Sequence, residues 1–300
     1  MAQEQSLYNS VAPLRNVSAL TTLIERVNKR DPGLPGMACF HGPSGYGKTT
    51  AAVYAANRFD AFQVQIKSCW RERMVCEAIL AEMGIKPIKT IAHMVNQIAQ
   101  ELAQSGRPLL IDDAQELRSR GMIGLAKDIY ESSGTTVILI GEETLPQSLQ
   151  KWENVHGRIL DWVAAAPAVS TDVDHLAPIY CAGVELAADF KAKLLHASHH
   201  SIRRVCVNLT HAKELAHRSN KTSISLADWG KRPFFEGIAP RPRRELTLAA
   251  PRTHASCAAG MMRGLVKSSC MSNPAPTSPL CRIRPMRPFC VVSASGRSTG

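Results

Sequence analysis

Between residues 37 and 56 the chain carries three runs that few folds can hold together. An apolar run is followed by a glycine-rich turn and then a helix-forming run. The turn, Gly42-Pro43-Ser44-Gly45-Tyr46-Gly47-Lys48-Thr49, fits the phosphate-cradling pattern G-x-x-x-x-G-K-[ST]. Met37-Ala38-Cys39-Phe40 before it reads as a buried strand, and Thr50 to Ala56 after it contains no helix breaker. A strand, a glycine turn and a helix N-terminus make an anion site. Backbone N–H groups converge there, and the helix dipole adds about half a positive charge. Glycine lets the backbone approach a phosphate closely and take φ > 0. In such a loop, residues 42–50 cradle the phosphates of ATP, with Thr50 the last of them. Lys48 reaches the β- and γ-phosphates, and the Thr49 hydroxyl binds Mg2+.

The rest of the first half alternates strands and helices. Helices are expected near Ser18–Lys29, Arg71–Met83 (closed by Gly84) and Gly124–Tyr130. Ile88, Ile91, Val95, Ile98 and Leu102 step at helical spacing and predict one more. Strands are expected at Phe62–Ile66, Leu109–Ile111 and Thr135–Ile140. This alternation implies a parallel sheet with helices on both faces. After Pro167 the pattern becomes helical only, over Thr171–Ala182, Glu185–His196, Ile202–His217 and a short piece from Ser223. The fold class read from this is α/β, followed by a small all-α lid domain. The segments are an N-terminal helix and linker (1–36), an α/β domain (37–170), the lid (171–232), and a basic linker and tail (233–300).

Charge sharpens this division. The chain has 36 basic and 25 acidic side chains. Residues 1–170 balance at 17 of each, whereas residues 246–300 hold 7 basic and no acidic side chains. That tail has six Pro, four Cys and no helical or strand period. It reads as disordered or as read-through from a foreign frame, with a DNA-tethering role as the functional alternative. A basic balance favours polyanionic partners. No apolar run approaches a membrane span, and no signal peptide opens the chain, so a cytoplasmic location is expected. Cysteines are scattered without C-x-x-C spacing and read as reduced thiols. His196, His199 and His200 read as a polar cap at a helix end rather than a metal set.

A second element supports nucleotide chemistry. Leu109-Leu110-Ile111-Asp112-Asp113 is an apolar strand ending in an acid pair, the Walker B pattern. Asp112 is placed to hold Mg2+, and Asp113 to orient the attacking water, with Glu116 as a nearby substitute.

With these motifs the chain resembles an AAA+ ATPase over about residues 10–240. Phe40 to Thr50, then Leu110-Ile111-Asp112-Asp113-Ala114-Gln115, then Leu139-Ile140-Gly141-Glu142-Glu143 resemble the DNA-transposition ATPases, namely the bacteriophage Mu B protein and its TnsC and TniB relatives. The resemblance implies ATP-driven assembly of a homo-oligomer on double-stranded DNA, which is then presented to a transposase. Only 36 residues precede the first strand, so the separate helix-turn-helix domain of the Mu protein is not expected here. Carried over, the polar sensor after the fourth strand falls at Glu142, where the family usually has Asn or Thr. Arg158 falls where an arginine finger reaches a neighbouring subunit. Arg203 matches the lid sensor, with Arg204 beside it as the alternative. Lys67, Arg71 and Arg73, around Trp70, fall in the region that faces the central channel of related rings and are the candidate DNA contacts. Two other readings stand beside this one. One is an AAA+ protein of a secretion-type system, although the peptidoglycan-binding or membrane segment of such proteins is not visible. The other is a nucleotide-gated scaffold that hydrolyses little, which the short Asp113 would favour.

Overall fold

The computed structural model describes residues 14–239, all within one compact unit. The basic stretch from Pro240, the tail reading from Leu246 and the first 13 residues lie outside the described residues. Helix α1 (Arg15–Asn28) buries Leu20, Leu23, Ile24 and Val27 along one face. Strand β1 (Met37–His41) runs into the glycine turn, and α2 (Lys48–Phe59) leaves it. Next come β2 (Phe62–Gln65), α3 (Glu72–Glu82), α4 (Ile91–Ser105) and β3 (Leu109–Asp112). A 3₁₀ turn (Ala114–Gly121), α5 (Ile123–Ser133) and β4 (Val137–Gly141) follow. Then α6 (Leu145–Gln150) and α7 (Glu153–His156) lead to β5 (Ile159–Ala164).

The five strands form one sheet in the order β2-β3-β4-β1-β5. Every pairing is parallel. Side chains alternate between its faces, as a period of two requires. Met37, Cys39, Leu109, Ile111, Val137 and Leu139 pack with α3, α4 and α5. Ala38, Phe40, Leu110, Ile138 and Ile140 turn to the other face, against α1, α2 and the helices beyond β5. Because the strands run the same way, the glycine turn, Asp112 and Gly141 all emerge along one edge of the sheet. That edge is where ligands bind in open α/β sheets.

The region after β5, expected from the sequence as a lid and called so below, consists of α8 (Ser170–Tyr180), α9 (Ala188–Ala197), α10 (Ile202–Arg218) and α11 (Leu226–Trp229). It also holds two short strands, β6 (Glu185–Leu186) and β7 (Ser223–Ile224), paired in parallel. The helix expected to start at Glu185 therefore starts three residues later, since the backbone there bonds to residues far along the chain. Helix α4 also starts late. Thr90 caps it, and the Ile88 N–H is taken by Gln97 Oε1 at 3.0 Å, which leaves Ile88 in a loop and exposed. Strand β5 has no counterpart in the sequence reading. It is an edge strand carrying Asp161 and Trp162, and its apolar pattern is too broken to announce itself. Residues 233–239, expected as an exposed linker, begin packed on the lid. Phe234 stacks on Trp229 with ring centroids 4.8 Å apart.

Candidate nucleotide-binding site

The glycine turn is held from two sides. On one, the Asn16 amide of α1 donates to the Tyr46 and Ala166 carbonyls at 2.8 and 2.9 Å, and its oxygen accepts from Ala166 N–H at 2.8 Å. On the other, Arg203 N–H at the start of α10 donates to the Gly45 carbonyl at 3.0 Å. Gly45 sits at φ +84°, and a Cβ there would lie 2.6 Å from Ser201 Oγ. Only glycine satisfies both the backbone angle and the close approach of the lid. Asn16 was missed by the sequence reading. Its one signal is an amide beside the apolar face of a helix, buried to 5% exposure.

A cavity of about 440 Å3 opens above the turn, within the size range of ligand pockets. Ser44, Gly45, Gly47, Lys48, Thr49 and Thr50 line it from the turn and α2, and Asp112 and Asp113 from β3. Glu142 enters after β4, and Arg203 from the lid. Tertiary structure thus gathers residues spread over about half the chain. Gly42 and Pro43 contribute their carbonyls, which accept from Lys48 Nζ at 2.7 and 2.8 Å. Burial pushes the Lys48 ammonium below its ordinary pKa, while the carboxylates of Asp112, Asp113 and Glu142 work the other way.

Asp112 is 1% exposed. Its Oδ1 accepts from Asp113 N–H at 2.9 Å. Its Oδ2 is buried with no hydrogen-bond partner, and the Thr49 hydroxyl beside the carboxylate helps to stabilise the charge. Burial nevertheless holds the carboxyl above its ordinary pKa. A bare carboxylate oxygen next to a hydroxyl, facing a phosphate-sized cavity, fits Mg2+, which takes oxygen ligands and shares its shell with substrate phosphates. Among the described residues no group of three His, Cys, Asp or Glu could enclose a metal alone, so His196, His199 and His200 form no such set. The His200 ring instead meets the Ala168 carbonyl at 2.8 Å. The described cysteines are free, and burial pushes the Cys76 thiol up to about 11.

Asp113 has φ +53°, a left-handed backbone that is strained for a non-glycine residue. Two glutamines hold its carboxylate. Gln65 Nε2 donates to Oδ2 at 2.7 Å, and Gln115 Nε2 donates to Oδ1 at 3.1 Å. Gln115 also accepts from Glu142 N–H at 3.2 Å, so one side chain joins the ends of β3 and β4. A Cβ on Gly141 would lie 2.7 Å from that amide oxygen. Neither glutamine was assigned a role from sequence, because the contacts exist only once β2, β3 and β4 are neighbours. Glu116 is not among the residues lining the cavity.

The remaining candidates separate. Arg203 Nη1 reaches Ser44 Oγ at 3.4 Å, whereas Arg204 lies against Gly237. The geometry thus distinguishes the two arginines. Arg158 precedes β5 at the opposite edge of the sheet, where its carbonyl accepts from Met37 N–H at 3.1 Å. The length of β1 puts it about 15 Å from its own glycine turn. Its guanidinium pairs with Glu131 at 2.7 and 2.8 Å. Lys67 and Arg71 are exposed just beyond Gln65 and make no ion pair among the described residues. The Lys67 ammonium lies 5.8 Å from the centre of the Trp70 ring. Arg73 is committed to Glu77 at 2.8 Å and to the Lys89 carbonyl at 2.7 Å.

Comparison with known proteins agrees with this geometry. Residues 31–149 match the family model described as an AAA domain. No curated protein matches the chain. Among solved structures, the ORC2 protein of Aeropyrum pernix in its ADPNP and ADP complexes is similar, with TM-score 0.56 and 15% identity over 75% of this chain and 70% of that one. Cdc6p from Pyrobaculum aerophilum gives 0.54 and 15%, over 75% and 69%. The A. pernix ORC1 protein in complex with DNA gives 0.53 and 16%, over 74% and 66%. At such identities the likeness speaks to the fold alone, and the fold is that of the P-loop AAA+ proteins.

Proposed function

We propose that this chain is a cytoplasmic, Mg2+-dependent ATPase that assembles as a homo-oligomer on double-stranded DNA without reading its sequence and delivers that DNA to a transposase. The observation that carries the nucleotide part is the convergence of Lys48, Thr49, Asp112, Asp113 and Arg203 on one cavity. The transposition part rests on the resemblance of three motif segments. A similar solved structure, that of A. pernix ORC1, is in complex with DNA, which favours a nucleic-acid partner for this fold.

In this reading Lys48 leaves the loop carbonyls and donates to the β- and γ-phosphate oxygens. Thr49 and Asp112 would hold Mg2+, which would neutralise phosphate charge. Asp113 accepts a hydrogen bond from the attacking water and turns its lone pair toward the γ-phosphorus. Arg203 touches phosphate from the lid, so the lid angle follows the nucleotide. Arg158 lies too far from its own cavity to act there, and its role is on a neighbour's γ-phosphate. Lys67 and Arg71, with Arg73 as a third contact, take DNA phosphates. Gln65 lies two residues from Lys67 and touches Asp113 directly, so the DNA surface and the water-orienting carboxylate are linked by one side chain.

A second reading, a scaffold that hydrolyses little, is favoured by one observation: both oxygens of Asp113 are already engaged by glutamines. Phosphate release and ATP-dependent co-sedimentation with DNA test both readings together. Lys48→Ala abolishes ATP binding and co-sedimentation, while Asp113→Asn keeps both and loses turnover. Tight ATP binding by Lys48→Ala refutes the site. Wild-type chain that co-sediments but releases no phosphate supports the scaffold.

A further inference from the structure

We propose that the lid carries a second, separate docking cavity for an acidic peptide segment of a partner protein, anchored by one apolar side chain. It measures about 500 Å3 and shares no lining residue with the nucleotide cavity. Its apolar lining, or floor, is Leu226, Pro233 and Phe234, packed over the buried Trp229. Trp229 and Phe234 are stacked, and Phe190 lies 5.4 Å from Trp229 beneath them. Trp229 Nε1 donates to the Arg232 carbonyl at 2.8 Å, so the buried indole beneath the cavity carries no unsatisfied polar atom. The segment forming one wall is pinned. Phe235 N–H donates to Asn208 Oδ1 at 2.8 Å, and Asn208 Nδ2 donates back to the Phe235 carbonyl at 3.1 Å. The cavity is therefore built before any partner arrives, which lowers the ordering cost of binding.

The rim sets the partner's charge. Lys193, Lys231 and Arg232 surround the floor with His196 and His199, against the single carboxylate of Glu236. Lys193 and Lys231 make no ion pair among the described residues. Arg232 donates to the carbonyls of Asp228 and Trp229, both at 3.1 Å, which leaves its charge unneutralised. Such a rim steers an acidic partner and rejects a basic one. The chain's own C-terminal residues 246–300 are the wrong occupant, since they carry 7 basic and no acidic side chains. A nucleic acid fits less well. Trp229 is 3% exposed and cannot stack with a base, and a phosphate backbone has nothing apolar to fill a concave carbon floor. A peptide with Asp or Glu around one Leu, Phe or Trp satisfies both rim and floor.

The test is to pan a phage-displayed random dodecapeptide library on the full-length chain and measure the leading peptide by fluorescence anisotropy. Acidic residues flanking one large apolar residue are expected, with binding that weakens as salt rises. The double variant Lys193→Glu, Lys231→Glu is expected to lose about tenfold in affinity while its melting and ATP binding stay unchanged. Replacing the peptide's apolar anchor by Ser is expected to abolish binding. A neutral or basic consensus, no enrichment, or undiminished binding to the double variant overturns the proposal. So does an anchorless peptide that binds equally well. Displacement of the peptide by duplex DNA, together with loss of DNA binding in the same variant, assigns the surface to nucleic acid instead.

Discussion

Asp112→Asn separates what the Asp112 carboxylate costs from what it does. The side chain is 1% exposed, one oxygen is satisfied by Asp113 N–H, and the other has no partner. A buried acceptor left unsatisfied costs about 1–3 kcal/mol. Asparagine has the same shape, keeps the acceptor for Asp113 N–H, and removes the charge whose burial raises the pKa. The nucleotide-free variant is therefore more stable by about 1–3 kcal/mol, a rise in melting temperature of roughly 2–12 °C for a domain of this size. The sign of the pH dependence follows from the raised pKa. Between the ordinary 3.8 and the raised folded value, the folded chain holds its proton more tightly than the unfolded one. The cost of the charge is thus complete above that window and disappears as pH falls toward 3.8, and the gap between variant and wild type closes with it. With Mg2+ and ATP the order reverses. Wild type gains about 2.7 kcal/mol at a hundredfold excess over Kd, and the variant, lacking the proposed metal ligand, gains much less. Scanning fluorimetry of both proteins, with and without Mg2+-ATP from neutral to acid pH, reads all of this. A nucleotide-free variant that melts below wild type at neutral pH refutes the reasoning, because it means that Oδ2 is partnered.

Three further outcomes follow from the same geometry. Gln65→Ala frees one oxygen of Asp113 and raises DNA-free phosphate release about ten- to a hundredfold, the equivalent of the ~1.5–3 kcal/mol of a hydrogen bond to a charged group; unchanged release removes Gln65 from the mechanism. Arg158→Ala binds ATP normally yet neither assembles nor hydrolyses, and mixing it with Asp113→Asn subunits restores part of the turnover; wild-type turnover by Arg158→Ala alone, read by phosphate release, removes the finger. Lys67→Ala and Arg71→Ala weaken binding to unrelated duplexes equally, and each lost phosphate contact flattens the log–log salt slope by about 0.9; a change confined to one DNA sequence, seen in anisotropy titrations, contradicts a phosphate contact.

The parts legible in the sequence were those whose physics is local. The glycine turn at 42–49 works through backbone angles and a helix N-terminus supplied by its own neighbours in the chain. Asp112 ends a run of apolar residues that had to be a buried strand, and the alternation of strands and helices dictated a parallel sheet. What only the tertiary structure decided was every contact between distant segments. Arg203 and Arg204 look alike as letters, and the packing of α10 on Gly45 turns the first to Ser44 and the second to Gly237. Gln65 and Gln115 are ordinary polar residues until neighbouring strands bring their amides onto Asp113. Arg158 and Glu131 meet only because β5 pairs beside β1. Strand β5 itself is an edge, half-exposed and mixed in polarity, so its strand character comes from the partner it pairs with rather than from its own pattern. Local motifs name the chemistry because backbone geometry is set within a few residues. The geometry that would tune that chemistry lies in side-chain pairs separated by tens of residues, and only the closed sheet and lid bring these together.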